Sequence, residues 1–245
     1  MEKLKTYVIN IKSSIDRKEY MVNLIGGVSC LHTEFVEAVD GRLFTDEERM
    51  QRFDDDLCLK RYGRLLNLGE IGCTLSHFKC YNKLQESSDK YVLILEDDIS
   101  IIRDLTTIDF SQLDRFMNVD EPRILFLSGD YWHLKRINYT RVFSAVGSYA
   151  YIINKAAVGV ILSAIKTPSN VADDWHVYKQ LGVRLYAMYP YMIDANIADM
   201  PSSIRQEYWG NHKDQMSYKY LVKTYYNGII KKILVCLNLF ESKRR

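Results

Sequence analysis

Tyr91-Val92-Leu93-Ile94-Leu95-Glu96-Asp97-Asp98 is the stretch on which the reading of this chain turns. Five apolar residues run straight into three acidic ones. Such a run, bounded by polar residues, reads as a strand buried on both faces, the kind found in α/β sheets. Three carboxylates at its carboxyl end repel one another and resist burial, so something positive is expected to hold them. Side chains alternate across a strand, which puts Glu96 and Asp98 on one face and turns Asp97 away. Open α/β sheets place ligands at the carboxyl ends of their strands. Two carboxylates there suit a hard divalent cation, Mg2+ or Mn2+, shared with substrate phosphates. On these residues alone, an acidic turn that simply faces water is the alternative.

Outward from this strand, strands and helices alternate. Thr6–Ile11 reads as a first strand and Asp16–Leu24 as a helix. His32–Val39 is a second extended run closed by the turn pair Asp40-Gly41. Residues 45–62 are charged and helical in pattern. From Gly69 to Gln85, Ile71, Leu75, Phe78, Tyr81 and Leu84 fall at helical spacing, and Asn67 with Glu70 has the spacing of a capping box. Further strands are expected at Arg123–Ser128, once or twice within Val142–Ile153, and at Arg184–Met188. Asn154 is placed to cap a helix through Ile165, and another helix is expected near Asp174–Leu181. The alternation predicts an α/β fold, a Rossmann-like, mainly parallel sheet with helices on both faces. No linker interrupts it before residue 200, so residues 1–215 read as a single domain and 216–245 as a tail.

The composition, 47% hydrophobic and 26% charged, is that of an ordinary globular protein. A net charge of +2 gives no reason to expect nucleic acid as a partner. Cys30, Cys58, Cys73, Cys80 and Cys236 include no C-x-x-C pair. They indicate neither a zinc site nor a disulfide framework, and fit reduced thiols in a cytosolic protein. The opening Met1-Glu2-Lys3-Leu4-Lys5 lacks the long apolar stretch of a signal peptide, and no segment carries about 18 consecutive apolar residues. In the tail, Ile229, Ile230, Ile233, Leu234, Leu237 and Phe240 can form one helical face flanked by Lys231, Lys232, Lys243, Arg244 and Arg245. That pattern suits an anionic membrane surface, or a helix packed on the domain with a solvated basic end.

Four blocks resemble glycosyltransferase family 25, the lipooligosaccharide galactosyltransferase group that also includes collagen galactosyltransferases. They are Val8-Ile9-Asn10-Ile11 with Asp16-Arg17, the helix Gly69-Glu70-Ile71-Gly72-Cys73-Thr74-Leu75-Ser76-His77, the acidic Leu95-Glu96-Asp97-Asp98, and Tyr149-Ala150-Tyr151-Ile152-Ile153-Asn154-Lys155-Ala156-Ala157. The helix and acidic motifs, in this order and about twenty residues apart, are together specific. The resemblance implies a single-domain glycosyltransferase of the A-type fold that uses a UDP-sugar, most often UDP-galactose, and inverts the anomeric centre. It also implies a divalent cation at the acidic motif. A cation held by Asp98, with Glu96 nearby, would neutralise charge developing on the UDP leaving group.

Inversion in one displacement needs a single general base for the acceptor hydroxyl. Asp173-Asp174-Trp175 supplies candidates, and the family's pattern after the Tyr-rich strand favours Asp174 over Asp173. Either could instead be a helix N-cap, and Trp175 is expected in the core. Asn10, Arg17, Asp40, Gly41, Ser76, His77 and Asp97 are the candidate donor-binding residues, with Arg17 suited to a phosphate. Tyr131, Trp132 and His133 are candidates for the acceptor side. The expected activity is transfer of galactose from UDP-galactose to a lipooligosaccharide, lipopolysaccharide or other surface-glycan acceptor. The expected setting is the bacterial cytoplasm, peripheral on the inner face of the inner membrane. The alternatives are another donor (UDP-glucose or UDP-N-acetylglucosamine), a metal-dependent nucleotidyltransferase, and a non-catalytic glycan-binding module.

Overall fold

A computed structural model describes residues 3–128, 131–133 and 137–196, together with residues 229, 233, 237, 240 and 241. The strands are β1 (Leu4–Asn10), β2 (Leu31–Glu37), β3 (Tyr91–Glu96), β4 (Ile99–Ile101), β5 (Arg123–Phe126), β6 (Tyr131–His133), β7 (Thr140–Ala145), β8 (Ala150–Asn154), β9 (Arg184–Ala187), β10 (Ile193–Ala195) and β11 (Phe240–Glu241). The helices are α1 (Ile15–Gly26), α2 (Asp46–Arg52), α3 (Asp55–Tyr62), α4 (Leu68–Glu86), α5 (Phe110–Met117), α6 (Lys155–Ala164) and α7 (Trp175–Gln180).

One sheet runs in the order β11-β6-β7-β9-β5-β8-β3-β1-β2, and β4 pairs separately with β10. β1 lies parallel to β2 and β3, and β5 parallel to β9. β8 runs against both β3 and β5, and β7 against β9. From β7 to β2, five strands therefore point one way and only β7 and β8 the other, so the sheet is mainly parallel in direction.

The alternation of side chains divides the core in two. Tyr7, Ile9, Val92, Ile94, Phe126, Tyr151 and Ile153 pack on one face with residues of α4, α6 and α7. Val8, Leu93, Leu95, Leu125 and Ile152 pack on the other with Met21 and Ile25 of α1 and Leu113 and Met117 of α5. Each such buried aliphatic side chain contributes roughly 2 kcal/mol. Helices cover both faces, as the sequence implies. Trp175 sits in the first core, only 2% exposed.

α4 positions the site, and its sequence explains how. The capping box is formed: Glu70 N donates to Asn67 Oδ1 at 2.8 Å, and Asn67 N to Glu70 Oε2 at 2.9 Å. Arg64 grips the same carboxylate through two hydrogen bonds, at 2.8 and 2.7 Å. Two glycines let the helix press against the loop after β2. A Cβ on Gly72 would lie 2.6 Å from Val39 O, and one on Gly41 2.1 Å from Leu68 O. Ser76 Oγ completes the seam by accepting a 2.8 Å hydrogen bond from Val39 N.

Several expectations are corrected. The charged segment 45–62, expected to be helical, divides into two helices. Phe53 breaks away to be buried, and Asp54 starts α3 by accepting from Leu57 N. α5, capped by Asp109, was not anticipated. Tyr131 and His133 are buried, 0% and 2% exposed, so they do not face an open acceptor surface. Phe240 belongs to β11, which pairs antiparallel with β6, rather than to a helical face. The boundary at residues 215–216 and most of the tail lie outside the described residues. Of the tail's apolar set, Ile229, Ile233 and Leu237 are described and exposed. No helix among the described residues is long and apolar enough to cross a membrane.

Candidate active site

The carboxyl ends of β1, β2 and β3 and the flank of α4 enclose a cleft. Its walls include Arg17, the 38–42 loop, Cys73, Ser76, His77 and all three acidic residues Glu96, Asp97 and Asp98.

The three carboxylates have separate fates. Asp97 is held within the fold: Asn10 Nδ2 donates to its Oδ2 at 2.7 Å and Arg17 Nη1 to its Oδ1 at 2.8 Å. Asn10 and Arg17, both donor-binding candidates, are thus occupied in fixing the acidic turn. Arg17 also reaches to 3.6 Å from Asp98 Oδ2. Glu96 accepts a 2.6 Å hydrogen bond from Ser148 Oγ on its Oε1, and His77 Nε2 lies 3.4 Å from the same oxygen. Burial works to raise the Glu96 carboxyl, but His77, Ser148 and Arg17 outweigh it and hold it below the ordinary range. Asp98 goes the other way: burial first, then the charge of Glu96, push it up to about 7, with Arg17 opposing. Burial and the neighbouring Glu96 thus disfavour a second negative charge at Asp98, a charge that a cation would offset. The oxygen donors Glu96 and Asp98 fit Mg2+ or Mn2+.

The turn between β7 and β8 brings in residues that sequence reasoning missed. Gly147 adopts a left-handed conformation, φ 82°. Its N donates to Asp173 Oδ2 at 3.1 Å, and its carbonyl accepts from Trp175 Nε1 at 3.2 Å. This clamps the start of α7 to the site and carries Ser148 to Glu96. The Gly147-Ser148 pair between two strand patterns was the available signal. Burial, then Glu96 and Asp174, hold the Asp173 carboxyl above its ordinary range. Asp174 stands at the N-cap of α7 without capping it. Its Oδ2 instead accepts a 2.6 Å hydrogen bond from Tyr62 OH.

The remaining candidates are placed as follows. Asp40 carries a two-point ion pair with Arg42, at 2.7 and 2.8 Å, and Arg42 keeps its carboxyl below the usual range. Gly41 lies in the α4 seam. Ser76 Oγ, besides taking Val39 N, donates to Gly72 O at 2.7 Å, so it ties the loop rather than facing a ligand with a free hydroxyl. His77 is fully buried, its Nδ1 2.8 Å from Tyr151 OH, which in turn is 2.9 Å from Tyr81 OH.

Comparison with known proteins places the chain in a family. The chain is 27% identical over 252 residues to a protein of Acanthamoeba polyphaga mimivirus whose name assigns it to the glycosyltransferases, covering 92% of this chain and 72% of that one. It is 28% identical over 137 residues to procollagen galactosyltransferase 2 of Mus musculus, covering 47% of this chain and 21% of that protein. It spans only 16% of the length of insect relatives that match it. Among solved structures, a glycosyltransferase involved in the glycosylation of the major capsid of PBCV-1 superposes with a TM-score of 0.43 at 11% identity, over 83% of this chain and 96% of that one. The family described as glycosyltransferase family 25 (LPS biosynthesis protein) matches residues 3–176, a span that contains every candidate from Asn10 to Asp174. This α/β chain, with its Rossmann-like, mainly parallel sheet, belongs to glycosyltransferase family 25.

Proposed function

We propose that the chain transfers a hexose from a UDP-sugar to an oligosaccharide or glycolipid acceptor with inversion. Galactose is the first choice of sugar and a lipooligosaccharide or lipopolysaccharide the first choice of acceptor. The observation that carries this reading is the pairing of Glu96 with Asp98 in a cleft at the strand ends, Asp98 being pushed up to about 7. Galactose draws support from the name of the mouse relative, and a surface glycan from the family's description.

Glu96 and Asp98 would hold Mn2+ or Mg2+, which when bound would offset the charge that develops on the departing diphosphate. Arg17, at the same wall, offers its guanidinium to that diphosphate while anchoring Asp97. Asp173 is our candidate base, ahead of Asp174. Its carboxyl is raised by burial and by the charge of Glu96, which improves a base, whereas Asp174 is engaged by Tyr62. We also propose a cytoplasmic enzyme working at an anionic membrane. Ile229, Ile233 and Leu237, exposed at helical spacing, support that reading.

The test is incubation with UDP-galactose, Mn2+ and lipooligosaccharide, followed by 31P and 1H NMR. Release of UDP with a new β-linked galactose is expected. Pyrophosphate release would instead favour a nucleotidyltransferase. Acceptor binding indifferent to both UDP and metal would favour a glycan-binding module. Loss of cosedimentation with anionic vesicles on changing Ile229, Ile233 and Leu237 to Ser tests the membrane contact.

A further inference from the structure

The sequence gives no zinc spacing of the familiar kinds, yet α4 and β3 assemble a mixed ligand set at the back of the cleft. Cys73 and His77 are four residues apart on one face of α4, and Glu96 ends β3 opposite them. One ligand atom from each lies within 4.8 Å of the other two. A triangle of that side puts its centre about 2.8 Å from each corner. Zinc bonds of about 2.0–2.3 Å therefore need each side chain to close by less than about an ångström.

The second observation is His77 itself. Its side chain is 1% exposed, and Nε2 makes no hydrogen bond although it points at Glu96, 3.4 Å away. Nδ1 is already engaged by Tyr151 OH, itself bonded to Tyr81 OH. Whichever nitrogen carries the proton, Nε2 faces the Glu96 carboxylate and has no other partner. A metal-ligating imidazole is oriented in this way, by a partner on its other nitrogen. Ser148 Oγ likewise orients Glu96.

We propose that Cys73, His77 and Glu96 form a site for a thiophilic divalent cation, zinc, next to the oxygen-ligand pair and sharing Glu96 with it. Three protein ligands with a fourth position open to the cleft match an accessible zinc site. Thiolate and imidazole favour zinc over Mg2+ or Mn2+, so the two sites differ in preference while drawing on one carboxylate. Binding replaces the thiol proton with a Zn–S bond and releases that proton to solvent. The site itself stands on the three ligands alone. Its consequence, that zinc captures Glu96 and inhibits transfer in competition with Mn2+, rests on the function proposed above.

The probe is Co2+, then Zn2+, added to the full chain after chelator treatment. The wild type should bind one Co2+ with a thiolate charge-transfer band that zinc displaces. Cys73→Ser should lose the band and bind zinc at least about tenfold more weakly. In parallel, zinc but not Mg2+ should protect Cys73 of the wild type from alkylation, read by peptide mass. That arm decides the matter if the variant is unstable. Absence of a thiolate band, or zinc affinity unchanged in Cys73→Ser, or no protection of Cys73, would overturn the site. Manganese-dependent UDP binding by the wild type, measured on the same sample, separates failure of this inference from failure of the transferase reading.

Discussion

If Glu96 and Asp98 bind the donor's cation, metal affinity must fall with acid in a range where ordinary aspartates do not titrate. Asp98 is pushed up to about 7, by burial and then by Glu96. A proton on it competes with the metal, so apparent affinity follows the ionised fraction. That fraction is about 0.9 at pH 8 and about 0.09 at pH 6, an approximately tenfold loss. An ordinary Asp, with its pKa near ~4, would show no change. At pH 7 binding should release about half a proton from this group. The sign for stability is opposite to that of a salt-bridged aspartate. Because the folded carboxyl is raised, the metal-free fold holds the proton more tightly than the unfolded chain does. Its contribution is therefore full below about pH 4 and is lost as pH rises toward about 7. Calorimetric titration of Mn2+ at pH 6, 7 and 8, in buffers of different ionisation enthalpy, measures affinity and proton release together. Equal affinity at pH 6 and pH 8, with no proton released, would refute the reasoning.

Three further outcomes are expected. Gly72→Ala, whose Cβ would meet Val39 O at 2.6 Å and Gly41 N at 2.8 Å, should lower stability by about 1–3 kcal/mol in urea unfolding and weaken UDP binding. Gly27→Ala, with nothing within 4 Å, should not. Glu70→Ala takes the paired carboxylate from the Arg64 guanidinium, whose side chain is 9% exposed, and removes a capping contact, so a loss of about 3 kcal/mol is expected from thermal and urea unfolding. Asp173→Asn should cut turnover by about 10²–10⁴-fold while leaving UDP affinity within a few fold, and Asp174→Asn should cost less. Equal losses for the two would remove the preference for Asp173.

The parts of this fold legible in the sequence are those whose residues signal one structure in isolation. Val92–Leu95 could only be buried, and the Asn67/Glu70 box marks the start of α4. Asn154 declares the start of α6, accepting from Ala157 N. The direction of β8 was not legible. A strand buried at every position reads the same whether it runs parallel or antiparallel. α5 was hidden because only Leu113 and Met117 of its eight residues are buried. At the site, period-two alternation picked out Glu96 and Asp98, but residues 97 and 98 form a turn and all three carboxylates line the cleft. Asn10 was found as a donor contact at a strand tip and Arg17 as suited to a phosphate, but their hold on Asp97 spans 87 and 80 residues of chain. Ser148 and Tyr62 were missed for the same reason: their partners Glu96 and Asp174 are 52 and 112 residues away, and only the fold brings them together.

The most direct test of the central claim is UDP binding by calorimetry, with Mn2+ and with chelator, for the wild type and Asp98→Asn. We expect binding that requires Mn2+ and is lost in the variant. Binding that persists in chelator and in Asp98→Asn would contradict the assignment of Glu96 and Asp98 as the cation site of the donor.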